Sequence, residues 1–267
     1  MTFNRLLLTG AAGALGRALR PRAAAWTKTL RLSDIADCGS AAAHEEITRG
    51  DLGNARFVDA MVAGCDAIIH MGGISVDGPW APILNANIAG LHNLYEAGRR
   101  HGTKRIIFAS SNHAIGYNLR SKRIDATDPP RADGNYGISK VFGETLSRYY
   151  WDRFGIETVC LRIGSAFPEP LDRRMLLTFL SYEDLIELVR CALTAPKAEH
   201  TIVFGASDNP GMDWWDNRHA AHLGWQPKES SAAWRAKIEA AFPPEDPARP
   251  MSNYQGGKYV ELGPYEY

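Results

Sequence analysis

The chain has little of what would take it outside an ordinary globular fold. It holds four cysteines, Cys38, Cys65, Cys160 and Cys191, and no two of them stand at C-x-x-C spacing. That argues against a zinc site or a disulfide frame and fits a reducing, cytoplasmic compartment. No apolar stretch approaches the roughly 20 residues of a membrane helix. The first residues run straight into a strand-like segment, without the charged, apolar and small-residue succession of a secretory signal. A cytoplasmic chain with no membrane partner and no metal is therefore expected. Neither sign of charge is in excess, since Lys+Arg 30 match Asp+Glu 30. No overall field draws the chain to nucleic acid. There is no internal repeat and no low-complexity segment.

What is present is a normal share of apolar residues, 45%, in a chain of 267. That is enough for one α/β domain with a good core and a small additional lobe. Apolar runs at 5–9, 29–34, 46–50, 66–70, 104–109, 155–163 and 201–204 read as strands. Helical patterns at 17–25, 54–62, 79–100, 136–154 and 182–193 separate most of them. Apolar strands alternating with helices predict a Rossmann-type, doubly wound parallel sheet. Residues 1–164 form its nucleotide-binding part in this reading. Residues 165–267 supply the last strand and a small C-terminal substrate-binding lobe. That lobe has one more helix at 231–242 and a late turn or short strand at 254–260.

The first strand ends in Gly10-Ala11-Ala12-Gly13-Ala14-Leu15-Gly16 and a helix follows. Strand, glycine turn and helix together are the context in which such a motif binds a dinucleotide. The glycines permit a tight turn close to a pyrophosphate, and the helix start offers free N–H groups. The spacing is G-x-x-G-x-x-G. Asp34 closes the second strand, where a carboxylate accepts the adenine ribose hydroxyls and repels a 2′-phosphate, favouring NAD over NADP. Asp51 and Leu52 either flank the adenine or cap the helix at 54–62. Met71, Gly72 and Gly73 bring backbone under the cofactor. His70 reads as a packed histidine rather than a catalyst. Asn87 either enters the site or faces solvent.

The fifth strand delivers Ser110-Ser111-Asn112-His113 at its carboxyl end, where ligands bind in an open α/β sheet. Tyr136 and Lys140 stand four apart on a predicted helix, which puts phenol and ammonium on one face. A nearby ammonium is expected to lower the phenol pKa from about 10, making Tyr136 a general base toward an alcohol. Ser111 would hold the same alcohol oxygen.

In combination, T-G-A-A-G-x-x-G, Asp34, Asp51-Leu52, Asn87, Ser111 and Tyr136-x-x-x-Lys140 resemble the extended short-chain dehydrogenases/reductases. Within that superfamily, H-M-G-G-I-S-V, F-A-S-S-N-H-A-I-G-Y, L-R-I-G-S, P-E-P before R-R-M, W-W-D-N and Y-Q-G-G resemble the bacterial uronate dehydrogenases nearly end to end. Met71, Ala166 and Val141 depart from that pattern without removing a polar group. The resemblance implies oxidation of galacturonate or glucuronate at C1 to an aldarolactone, with NAD as cofactor and a homo-oligomer as the assembly. It implies Tyr136, Lys140 and Ser111 as the catalytic set. Ser75, Ser111, Asn112, His113, Ser165 and Arg174 are implied as pocket residues. A buried carboxylate requires a cation, and an arginine fork suits it, with Arg174 preferred over Arg173. Trp214 and Trp215 read as lobe packing rather than sugar stacking. Two other readings share the motifs: a nucleotide-sugar epimerase or dehydratase, and a catalytically silent NAD-binding protein.

Overall fold

The computed structural model describes residues 3–266. All seven predicted strands occur, in chain order β1 Phe3–Thr9, β2 Thr27–Asp34, β3 Glu45–Arg49, β4 Ala67–His70, β5 Arg105–Ser111, β7 Glu157–Ile163 and β10 His200–Gly205. They form one sheet in the order β10-β7-β5-β4-β1-β2-β3, and every pairing in it is parallel. Along β1, Leu6 and Leu8 face one side and Leu7 the other, as the two-residue period of a strand requires. Leu6 and Leu8 join Leu30, Ile69 and Leu161 under the helices of Leu19 and Leu188. Leu7 joins Ile68, Ile106 and Phe108 against Val58, Leu94 and Tyr150. Burial on both faces is why these strands read as unbroken apolar runs rather than alternating ones.

The helices are α1 Ala14–Ala23, α2 Ala55–Val62, α3 Trp80–Ile83, α4 Gly90–His101, α5 Asn135–Phe154, α6 Met175–Thr178, α7 Tyr182–Thr194, α8 Arg235–Ala241 and α9 Pro250–Asn253. None among the described residues is long and apolar enough to cross a membrane. The chain leaves β1 toward β2 on one side and has β4 on the other. The sheet order therefore reverses at the β1/β4 boundary, where a crevice opens beyond the strand ends. Short strands complete the fold: β6 Ile124–Asp125 pairs with β11 Trp215–Asp216, and β8 Ser165–Ala166 with β9 Phe179–Leu180.

Three expectations change. The single helix at 79–100 is interrupted by a π segment, Leu84–Ala89, which carries Asn87. Asn87 neither faces solvent nor reaches into the cavity. It brackets Ile74, accepting from its N–H at 2.8 Å and donating to its carbonyl at 3.0 Å, and also donates to Ser139 Oγ at 2.9 Å. The extra residue of a π turn lets that side chain lie inward without breaking the helix. The expected helix at 231–242 starts as a 3-10 turn, Ser231–Trp234, before α8. The expected late turn or strand at 254–260 is the turn: a 3-10 segment, Gly257–Glu261, pinned by one bridge between Leu119 and Tyr254. Trp214 and Trp215 pack as expected, with Trp215 stacked on Phe204 and its indole N–H on Gln255 Oε1.

Candidate active site

A cavity of about 1330 Å³ lies over the carboxyl ends of the strands. All the candidate residues line it: Gly10, Gly13, Ala14, Leu15, Gly16, Asp34, Asp51, Leu52, Met71, Gly72, Gly73, Ser75, Ser111, Asn112, His113, Tyr136, Lys140, Ser165 and Arg174. The glycine turn is required by packing as well as conformation. Gly10 has φ +69, and a Cβ there would stand 2.6 Å from the carbonyl carbon and oxygen of Met71. The two loops at the β1/β4 boundary thus touch backbone to backbone. Gly13 precedes α1, and no side chain caps the helix start. Its first-turn N–H groups are open to an anion such as a pyrophosphate.

Asp34 is held rigidly. Its Oδ2 accepts from Ala12 N at 3.0 Å and its Oδ1 from Ala36 N at 2.9 Å. The side chain that caps α2 is Asn54, through Phe57 N, and not Asp51. Asp51 instead accepts from Gly53 N and from the Asn85 amide at the cavity wall. His70 is packed as expected, 2.7 Å from Thr9 Oγ1, and burial pushes its pKa down to about 3. Thr9 Oγ1 also accepts from Gly72 N, so His70 braces the crevice from behind through Thr9, which lines it.

Below the crevice, β5 and α5 converge. Ser111 Oγ accepts from His113 N at 3.1 Å, which fixes the hydroxyl at the strand end. Tyr136 sits in the first turn of α5, and Asp77 accepts its backbone N–H at 2.8 Å. Lys140 Nζ donates to Ala109 O at 2.7 Å and lies 5.3 Å from the centre of the Tyr136 ring. The expected fall of the phenol pKa does not occur. Burial pushes Tyr136 above its ordinary range, and the Ser111 hydroxyl only partly opposes this. Burial also pushes Lys140 down, to about 8. In this enclosed site the loss of solvent sets the direction, so the phenol keeps its proton in the free protein.

One turn beyond Lys140, the buried Glu144 accepts from Ser110 Oγ at 2.6 Å and from Arg162 Nε and Nη2, both at 2.9 Å. This clamp joins α5 to β5 and β7 beside Ser111, Tyr136 and Lys140. Sequence inspection passed over it, although Glu144 shares the helix face of Lys140 and Arg162 interrupts an apolar strand. Asp77 and Asp133 were passed over too, as loop acids without periodicity.

On the other side stand two adjacent arginines with different fates. Arg173 donates to the Phe242 and Glu239 carbonyls. Arg174 is 9% exposed and turns into the cavity, where its Nε donates to Gln255 O at 2.7 Å. With the Asn112 amide oriented to satisfy both its atoms, Nδ2 donates to Ile163 O at 3.1 Å and Oδ1 accepts from Arg174 Nη2. No carboxylate pairs with this guanidinium among the described residues. Burial pushes its pKa down to about 10. Ser165 Oγ is 2.9 Å from Thr178 Oγ1, and Ser75 is exposed at the rim. His113 Nδ1 is 2.7 Å from Asp133 Oδ2, and its ring stacks on Tyr259 at 3.7 Å.

A parallel sheet with a glycine-lined crevice at its switch point, above a serine, a tyrosine and a lysine, defines an oxidoreductase of the short-chain dehydrogenase type. The pattern of the NAD dependent epimerase/dehydratase family matches residues 6–180. A uronate dehydrogenase of Pseudomonas putida is 53% identical over 266 residues, 98% of each chain. The crystal structure of a glucuronic acid dehydrogenase from Chromohalobacter salexigens superposes with a TM-score of 0.95 at 52% identity, covering 98% of each chain. A uronate dehydrogenase mutant from Agrobacterium tumefaciens, complexed with NAD, gives 0.93 at 48% identity, covering 97% of this chain and 98% of its own. The chain belongs to the NAD dependent epimerase/dehydratase family and, within it, to the uronate dehydrogenases.

Proposed function

We propose that the chain oxidises hexuronates, D-galacturonate and D-glucuronate, at C1 to the aldarolactone with NAD as acceptor. The observation that carries this is Arg174: a guanidinium buried on the cavity wall with no carboxylate of its own chain among the described residues. Burying a cation alone is costly, and an incoming carboxylate removes that cost. Asn112 and the Gln255 carbonyl hold the fork in place.

In this reading the glycine turn with Ala14 and Leu15, Asp34, Asp51, Leu52 and the Met71–Gly73 backbone hold the cofactor. When bound, NAD accepts the hydride that leaves C1. Tyr136 takes the proton of the C1 hydroxyl, Ser111 holds that oxygen, and Lys140 binds the nicotinamide ribose and stabilises the phenolate. Ser75, His113 and Ser165 contact the sugar. A hydride leaves C1 and a proton leaves its hydroxyl, two electrons and two protons in all, and lactone, NADH and one released proton are the products. Residues 1–164 carry cofactor and base, and residues 165–267 carry the last strand and most of the acid-binding wall. Four free cysteines support a cytoplasmic setting. A homo-oligomer belongs to the same reading, supported by the exposed Ile138, Tyr149 and Phe154 of α5.

The test is NADH formation from galacturonate, glucuronate, galactose and glucose measured side by side. Both acids should react, and both neutral sugars should react at least about 100-fold more slowly, because they leave Arg174 unpaired. Equal rates for acids and neutral sugars would overturn the reading. Turnover of nucleotide sugars alone would do so as well.

Cofactor choice follows from Asp34. NAD should be strongly preferred to NADP, since the 2′-phosphate would meet a carboxylate that two backbone N–H groups hold in place. Asp34→Ala should raise KM for NAD and reduce the preference. Equal efficiency with both cofactors in the parent enzyme would remove Asp34 from this role.

A further inference from the structure

Outside the residues already given a role, the most heavily constructed group at the cavity is Asp133, which stands three residues before Tyr136. Its side chain is fully enclosed, with Oδ2 against His113 Nδ1 and Oδ1 without a partner among the described residues. The socket around it is built from glycines. A Cβ on Gly116 or Gly256 would overlap Oδ2, and one on Gly137 would stand 3.1 Å from Oδ1. These glycines come from the turn after β5, from α5 and from the C-terminal segment. Two separate stretches, at Gly116 and Gly256, thus make room for one carboxylate whose burial is unfavourable in itself, while Gly137 is required first by the His113 carbonyl.

The carboxylate acts on His113. That ring has little freedom: Tyr259 stacks on it, Tyr136 lies 5.9 Å away, and the backbone is tied to Ser111 Oγ and to Asp133 N. Among the described residues Nε2 is left without a protein partner, and the ring lines the cavity. An ionised carboxylate can only accept a hydrogen bond. The proton between the two groups therefore belongs to Nδ1, and in a neutral ring Nε2 then carries a lone pair.

We propose that Asp133 is a positioning residue that holds His113 in its Nδ1–H form, so that Nε2 accepts a hydrogen bond from a hydroxyl of the sugar acid. This rests on the uronate reading and adds to it: Arg174 is the fixed donor for one end of the substrate, and His113 the fixed acceptor for another. Burial keeps the imidazole pKa low against the pull of Asp133, which favours the neutral ring. The charged groups that act on it are Asp133, Arg174 and Asp77, and Tyr136 and Tyr259 are the other titratable neighbours.

The experiment is nitrogen NMR on the full chain labelled in histidine, recorded without substrate, together with kinetics of Asp133→Asn. In the parent, near pH 7 to 8, His113 should show a protonated Nδ1 and an unprotonated Nε2. Asp133→Asn keeps the shape that fits the glycine socket but can present an amide N–H to Nδ1. It should lose the tautomer and raise KM for the uronate about 10-fold or more, with KM for NAD within about two-fold. A parent ring protonated at Nε2 alone, or at both nitrogens, overturns the proposal. So does an Asn variant in which both KM values rise together, because that is general loosening. If the Asn variant does not fold, the parent spectrum decides. The spectrum needs no turnover, so failure of the uronate reading would appear separately, as an absence of NADH formation.

Discussion

Replacing Arg174 by Ala should lower kcat/KM for galacturonate by about 30-fold to several-thousand-fold and leave that for galactose almost unchanged. The two sugars share the reacting carbon and differ mainly in the carboxylate at C6. Arg174 faces the cavity with Nε tied to the Gln255 carbonyl and Nη2 to Asn112, so the fork is oriented before substrate arrives. Its truncation leaves an anion enclosed without its cation, which costs roughly 2–5 kcal/mol. Arg174→Lys should recover only part, because an ammonium cannot make the fork and keep both anchoring bonds. The measurement is kcat/KM for both sugars on the parent, Ala and Lys enzymes. If Ala costs both sugars the same factor, Arg174 is a packing residue and the acid is read elsewhere.

Tyr136→Phe should reduce kcat by about 10²–10⁴-fold while KM for the uronate stays within a few-fold. The ring keeps its place in the first turn of α5, since Asp77 holds the backbone and not the phenol. What disappears is the hydroxyl that exchanges a proton with substrate. Because burial keeps the phenol protonated in the free protein, the charge needed for proton transfer has to be favoured by the filled site. A Phe variant that works within a few-fold of the parent would assign the proton to another group.

The sheet was legible because its strands are buried on both faces, so Leu6–Leu8, Ile68–Ile69 and Ile106–Phe108 stand as uninterrupted apolar runs. Much of the candidate site was legible because the glycine turn, Asp34, Met71–Gly73 and Ser111–His113 lie at or just beyond strand ends, and Tyr136 and Lys140 stand one helical turn apart. Other features depend on contacts across the chain. The role of Asn87 follows from Ile74 and Ser139, which no local pattern connects to it. Asp133 likewise acquires its meaning from Gly116 and Gly256, which no local pattern connects to it. The phenol of Tyr136 shows a different limit: spacing brings the ammonium near, but only the enclosing walls reveal how much solvent is lost. The last segment lacks any period, so a turn at 254–260 is one of two readings of it, and its contact with Arg174 cannot be read from sequence.

That contact has a consequence for substrate choice. Arg174, the proposed cation for the acid group, rests on the main-chain carbonyl of Gln255, while Ser111, Tyr136 and Lys140, proposed for the proton transfer, stand on β5 and α5. One anchor of the proposed acid-binding group therefore lies on a stretch apart from the proposed chemistry, and the other, Asn112, directly beside Ser111. Changes around Gln255 are expected to alter the choice between acid and neutral sugar while Ser111, Tyr136 and Lys140 keep their places.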